Sequence, residues 1–88
     1  LEAVPTINRL RSSMEAVRSE ELQKALSRMG PDFSARERKV VEALSKGIIN
    51  KILHVPVTQL RAPQSRQDRQ QSLRTVERLF ALEESGLD

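Results

Sequence analysis

Cysteine, tryptophan and tyrosine are absent from this chain, and histidine occurs once, at His54. Without cysteine there is no disulfide, no thiolate zinc site and no cysteine nucleophile, and a single histidine does not make a histidine metal cluster. The three glycines, Gly30, Gly47 and Gly86, stand too far apart for a phosphate-cradling loop, so both the dinucleotide fingerprint and the P-loop are missing. Long apolar runs are missing as well. Nothing approaches the ~18 residues a membrane helix requires, and Glu2, Asn8, Arg9 and Arg11 interrupt any apolar region of a signal peptide. A cytoplasmic chain without membrane insertion is expected.

What is present is aliphatic and charged. The chain has 88 residues and a mass of 10.0 kDa, a size at which a monomer hides roughly 64% of its extended-chain surface. Apolar residues make up 38% of it, with only Phe33 and Phe80 to give aromatic bulk. The net charge of +3 is concentrated in the middle: residues 30–62 carry six Lys/Arg against three Asp/Glu. The charges are interspersed and lack the aromatics that stack single-stranded bases, so most read as solvated helix faces.

Helix formers dominate and no alternation of apolar and polar residues is sustained, which predicts an all-α fold of three main helices. The first covers residues 1–29, with Pro5 in its opening turn and Gly30-Pro31 as its stop, and is expected to continue a longer helix upstream. Its stripe includes Ile7, Leu10, Met14 and Val17. The second spans 34–55, from a capping box of Ser34 and Glu37 to the residue before Pro56. Residues 56–67 then read as a bend with at most one helical turn. The third helix, 68–85, starts at Ser65 or Asp68, carries Leu73, Val76, Leu79 and Phe80 with Leu82 off to one side, and stops at Gly86.

The second helix is apolar over too wide an arc for one contact. Val40, Val41, Leu44, Ile48, Ile49, Ile52, Leu53 and Val55 cover roughly 220°, against little over about 100° for an ordinary surface helix. This predicts packing on its own chain on one side and on something else on the other. Gly47, unfavourable in a helix interior, fits a second backbone passing close by. Among the polar residues, His54 falls near a helix C-terminus, where a cation is favoured, and the adjacent pairs Glu20/Glu21 and Glu83/Glu84 splay apart on a helix. Neither suggests catalysis. Self-association is the simplest cover for the surplus apolar surface, so the residues alone describe a helical bundle across a two-fold homodimer. Its interface is expected to draw on Ile7, Leu10, Met14, Val17, Val41, Leu44, Ile48, Ile49, Ile52, Leu53, Val76, Leu79 and Phe80.

The run Ser45-Lys46-Gly47-Ile48-Ile49-Asn50-Lys51-Ile52-Leu53-His54-Val55-Pro56, followed by Leu60-Arg61, resembles the C-terminal region of the glutamyl-tRNA reductase family. Val4-Pro5-Thr6-Ile7, Leu10-Arg11, Glu20-Glu21-Leu22 and Leu26-Ser27-Arg28-Met29-Gly30 are similar to the end of that family's long spinal helix, and Val55-Pro56-Val57-Thr58-Gln59-Leu60 looks more like the variant of oxygenic phototrophs, cyanobacteria in particular. The resemblance covers nearly the whole chain, with residues 63–75 the least family-like.

The resemblance implies a dimerization domain at the apex of a V-shaped homodimer. The parent enzyme would reduce the glutamyl group on its tRNA with NADPH for tetrapyrrole synthesis, in the cytoplasm or, in a plant, the chloroplast stroma. It implies no catalytic, cofactor-binding or metal residue within these 88 residues, because the family's cysteine nucleophile and NADPH domain lie elsewhere. It also raises two alternatives. One is tRNA contact through the basic middle, at Arg36, Lys39, Lys46 and Lys51, with Arg38 and Arg61 nearby. The other is docking of a tetratricopeptide-repeat regulator on the third helix. Periodicity leaves open whether the helices pack within one chain or exchange between two.

Overall fold

The computed structural model describes residues 2–82, and all its regular elements are helices: α1 (Ala3–Met29), α2 (Ala35–Arg61) and α3 (Arg66–Leu79). α1 and α2 form a long antiparallel hairpin. α3 lies across the end where the start of α1 meets the end of α2, and the whole measures 54 × 30 × 17 Å. The three helices thus pack within one chain.

The turn between α1 and α2 is built by four residues. Gly30 adopts φ +75°, a left-handed value that favours glycine, and ends α1. Ser34 and Glu37 form the expected capping box: the Glu37 amide donates to Ser34 Oγ at 3.0 Å, and the Ser34 amide to Glu37 Oε1 at 2.7 Å. Arg38 then reaches back to the open carbonyls of α1, donating to Leu26 O at 3.3 Å and to Gly30 O. Its charge sits at the negative end of α1, which occupies one of the cations read as a possible RNA contact.

The ends of α2 and α3 differ from the sequence reading. α2 does not stop at Val55; it runs through Pro56 to Arg61, so the bend expected over 56–67 shrinks to the four residues between Arg61 and Arg66. Proline inside a helix removes one hydrogen bond and crowds the preceding turn, at about 3 kcal/mol. The offset comes from beyond it: Val57 and Leu60 extend the inward row of Leu53 and are 5% and 3% exposed, and each such burial contributes about 1.5–3 kcal/mol. α3 starts at the first of the two expected positions, capped by Ser65 Oγ accepting from the Asp68 amide at 3.0 Å. It ends at Leu79 rather than at 85: Ala81 takes a left-handed φ of 53°, and the Leu82 amide bonds back to Glu77 O at 2.8 Å. The reversal turns Leu82 into the core. The expected stop at Gly86 lies outside the described residues.

The core is Ala3, Ile7 and Leu10 of α1, Leu53, Val57 and Leu60 of α2, and Leu73 and Leu82, with Met14, Ile49 and Val76 packed against it. It occupies the three-helix end. Toward the hairpin turn only two helices meet, and there the buried residues are Leu22 and the charged Arg18.

Candidate functional site

The wide apolar arc of α2 is two faces. Ile49, Leu53, Val57 and Leu60 point to the core. Val40, Leu44, Ile48, Ile52 and Val55, spaced by four, four, four and three, form a second row along the outside. All five large side chains of this row stay open, from 49% exposure at Ile48 to 63% at Val40. A side chain of that kind gains ~25 cal/mol per Å² when covered, so the row is the strongest candidate for a contact surface among the described residues.

The thirteen expected interface residues divide accordingly. Ile7, Leu10 and Leu53 are at most 4% exposed, buried in the chain's own core by their apolar spacing on amphipathic helices. Met14, Ile49 and Val76 pack half-buried against that core, and Val41 is also half-buried. Val17, Leu44, Ile48, Ile52, Leu79 and Phe80 are exposed. Val40 and Val55 belong to the outer row as well, and their place in its near-fourfold spacing is the signal that would have added them to the list.

Beside the row, Val17, Leu22 and Ala25 of α1 and Val41, Leu44 and Ile48 of α2 enclose an apolar groove of about 260 Å³. Arg18 lines it too, and is kept polar-satisfied. Its Nε donates to Glu15 Oε1 at 2.9 Å, its Nη2 pairs with the other oxygen of that carboxylate, and its Nη1 donates to Ser45 Oγ at 3.2 Å. The hydrogen bond from Arg18, aided by the Arg18 and Lys46 charges, holds the Glu15 carboxyl below its ordinary range against a smaller opposing effect of burial. The same bond pushes Arg18 up. Gly47, on the far side of the row, is exposed, and a Cβ added there would meet, beyond its own helical turn, no atom of the described residues within 4 Å.

The cations are distributed differently. Arg36, Lys39 and Lys46 fall within about 80° of one another on α2, whereas Lys51 projects among the outer apolar residues. All four are exposed, and Lys46 pairs with Glu42 at 3.4 Å. Arg11, Asn50, His54, Thr58 and Arg61 line a separate polar opening with no acidic residue among its walls. The residues present do not suit a nicotinamide dinucleotide: Gly30 closes α1 and Gly47 stands mid-helix, and no strand-turn-helix unit occurs among the described residues. No described helix is long and apolar enough to cross a membrane.

Residues 1–82 match the family described as glutamyl-tRNAGlu reductase, dimerisation domain. Similar relatives are the glutamyl-tRNA reductases of Synechococcus sp. (strain CC9605), 88% identical over 97% of the chain, of Parasynechococcus marenigrum (strain WH8102), 89% identical over 93%, and of Prochlorococcus marinus (strain MIT 9303), 83% identical over 94%. The chain spans about a fifth of each relative's length, 20%, 19% and 19% respectively. With 82 of its 88 residues matched, the chain belongs to the glutamyl-tRNA reductase dimerisation-domain family.

Proposed function

We propose that this chain holds together two subunits of a cytoplasmic, NADPH-dependent glutamyl-tRNA reductase of tetrapyrrole synthesis, without chemistry of its own. The observation that carries the reading is the outer row of α2, five large aliphatic side chains about half-exposed or more in a chain otherwise 31% charged. A second copy presenting the same row covers it at no further requirement, since an isologous patch is its own complement. Reduction of the glutamyl group and the NADPH site then belong to the remainder of the enzyme. Sedimentation equilibrium of the 88-residue chain tests the reading: a two-fold mass is expected at tens of micromolar, and a 10.0 kDa species throughout would refute it.

A second reading, contact with the tRNA, is favoured by the opening lined with Arg11, His54 and Arg61 and by the exposed Arg36 and Lys39. Phosphate contacts would make affinity fall steeply with salt. Replacing Arg11 and Arg61 by Ala in the whole reductase should then weaken glutamyl-tRNA binding and flatten that salt dependence; unchanged binding would exclude these residues. The exposed Leu79 and Phe80 at the end of α3 suit a helical-repeat regulator. A Leu79→Ala/Phe80→Ala variant that binds it like the wild type would remove that role.

A further inference from the structure

Gly47 has no use within its own chain. It lies near the midpoint of the 27-residue helix α2, it is exposed, and beyond its own helical turn the position where its Cβ would stand meets no atom of the described residues within 4 Å. Its backbone follows helical geometry, so no left-handed turn calls for glycine either. Alanine would fit this site and strengthen the helix, because glycine is the weakest helix former after proline.

The surroundings of Gly47 show what a missing side chain does there. Along α2, residues four apart form ridges. Val40, Leu44, Ile48 and Ile52 make one ridge. The next is Ala43, Gly47, Lys51 and Val55, and it is lowest at Ala43 and Gly47. A trough therefore runs beside the apolar ridge at the middle of the helix. Apolar residues extend from it in both directions, Val40 and Leu44 before and Ile52 and Val55 after, all exposed.

Resting on the dimer reading above, we infer that Gly47 is the crossing point of the two α2 helices: the Leu44–Ile48 ridge of one copy lies in the trough over Gly47 of the other. A two-fold axis near mid-helix makes the contact reciprocal and lets both halves of each row find apolar cover. Interdigitating four-apart ridges cross at about −50°, and the interaxial distance shrinks where the side chain is a hydrogen. The occupant is a second copy because the matched family is one of dimerisation domains and because the ridge and trough that must fit each other are both carried on the same face of one helix.

The test is a size series, Gly47→Ala and Gly47→Leu, in the 88-residue chain, read by sedimentation equilibrium and by circular dichroism at a dilution where the wild type is monomeric. Alanine should raise the dimer Kd about tenfold, and leucine more than about a hundredfold, through overpacking at the crossing. The helical signal of the dilute variants should equal or exceed that of the wild type. Opposite signs in the two measurements are the signature. Variants that dimerise as tightly as the wild type, or tighter, would overturn the crossing while leaving the dimer in place. A loss of helix in the dilute Ala variant would overturn it too, by placing the requirement for glycine in the monomer. A wild type that stays monomeric at every concentration removes the dimer reading and this inference with it.

Discussion

Arg18 on α1 donates from Nη1 to the hydroxyl of Ser45 on α2 across 3.2 Å, and that hydroxyl donates in turn to the Glu42 carbonyl at 2.7 Å. It is a side-chain tie between α1 and α2 outside the main core. Ser45→Ala removes the shared hydroxyl and should lower stability by about 0.5–1.5 kcal/mol. Arg18→Ala should lower it further, because the stem of a side chain only 9% exposed is lost along with its hydrogen bonds. Chemical denaturation at one fixed protein concentration measures both, so that association does not enter the difference.

The other partner of Arg18 gives a pH dependence with a definite sign. The Glu15 carboxyl is held below its ordinary value in the folded chain, chiefly by the hydrogen bond from Arg18. The unfolded chain therefore binds the proton more readily, and acidification favours unfolding. This contribution is present in full above the ordinary carboxylate value, about 4.3, and disappears as pH falls through the lower folded value. Thermal melts from pH 6 to pH 3 should show a shallower acid loss in Glu15→Gln than in the wild type. Equal slopes would place the acid sensitivity on other carboxylates.

Glu77 anchors α3 to α1. Its Oε2 accepts from the hydroxyl of Thr6 at 2.8 Å and from Arg9 Nη2 at 2.9 Å, and Thr6 is only 2% exposed. Most of the effect of Glu77→Ala should come from the stranded Thr6 hydroxyl, about 1–3 kcal/mol, rather than from the partly exposed ion pair. In a Thr6→Val background the same substitution should then cost less. A double-mutant cycle reads the coupling, and additive effects would show that Thr6 finds another acceptor.

Local signals were fully legible: Ser34 and Glu37 form the box their spacing predicts, and Gly30 closes α1 with the φ that only glycine takes readily. Non-local ones were not. Pro56 reads as a stop because the sequence shows its steric effect but not the contacts that Val57 and Leu60 make on the far side. Likewise, Leu82 looks peripheral to α3 until Ala81 reverses the chain and buries it at 6% exposure. The apolar arc of α2 was visible as too wide, yet its period is the same on both faces. Which of Leu53 and Ile52 faces inward depends on where α1 lies, and helical spacing carries no such information.

The proline in α2 is the clearest place where local preference is overridden, and it should be reversible. Pro56→Ala restores an amide that can donate to the Ile52 carbonyl and relieves the crowding of that turn, while Val57 and Leu60 keep their contacts. A gain of about 1–3 kcal/mol is expected, below or up to the full penalty for an interior proline because the existing helix has already accommodated it. Urea denaturation provides the value, with an unchanged m-value showing that the folded state is the same. A loss of stability would mean that the proline ring, half-buried on α2, contributes more by packing than its missing amide removes.

The buried core and the outer row of α2 should separate stability from association. Leu10 is fully buried, at 0% exposure, and packs in the core with Ile7, Leu53 and Val57. Leu10→Ala should destabilise the chain by about 2–5 kcal/mol through the lost contacts and the cavity, and the dimer would weaken only as a consequence. Ile48, at 49% exposure on the outer row, lies outside that core. In Ile48→Glu the carboxylate stays hydrated in the monomer but would have to be buried unpaired in the dimer. A folded, helical 10.0 kDa monomer is therefore expected from Ile48→Glu, and a concentration-dependent melt should become concentration-independent. If Ile48→Glu instead unfolds the chain, the outer row takes part in the monomer's own fold. If it dimerises unchanged, the interface lies on Leu79 and Phe80 rather than on α2.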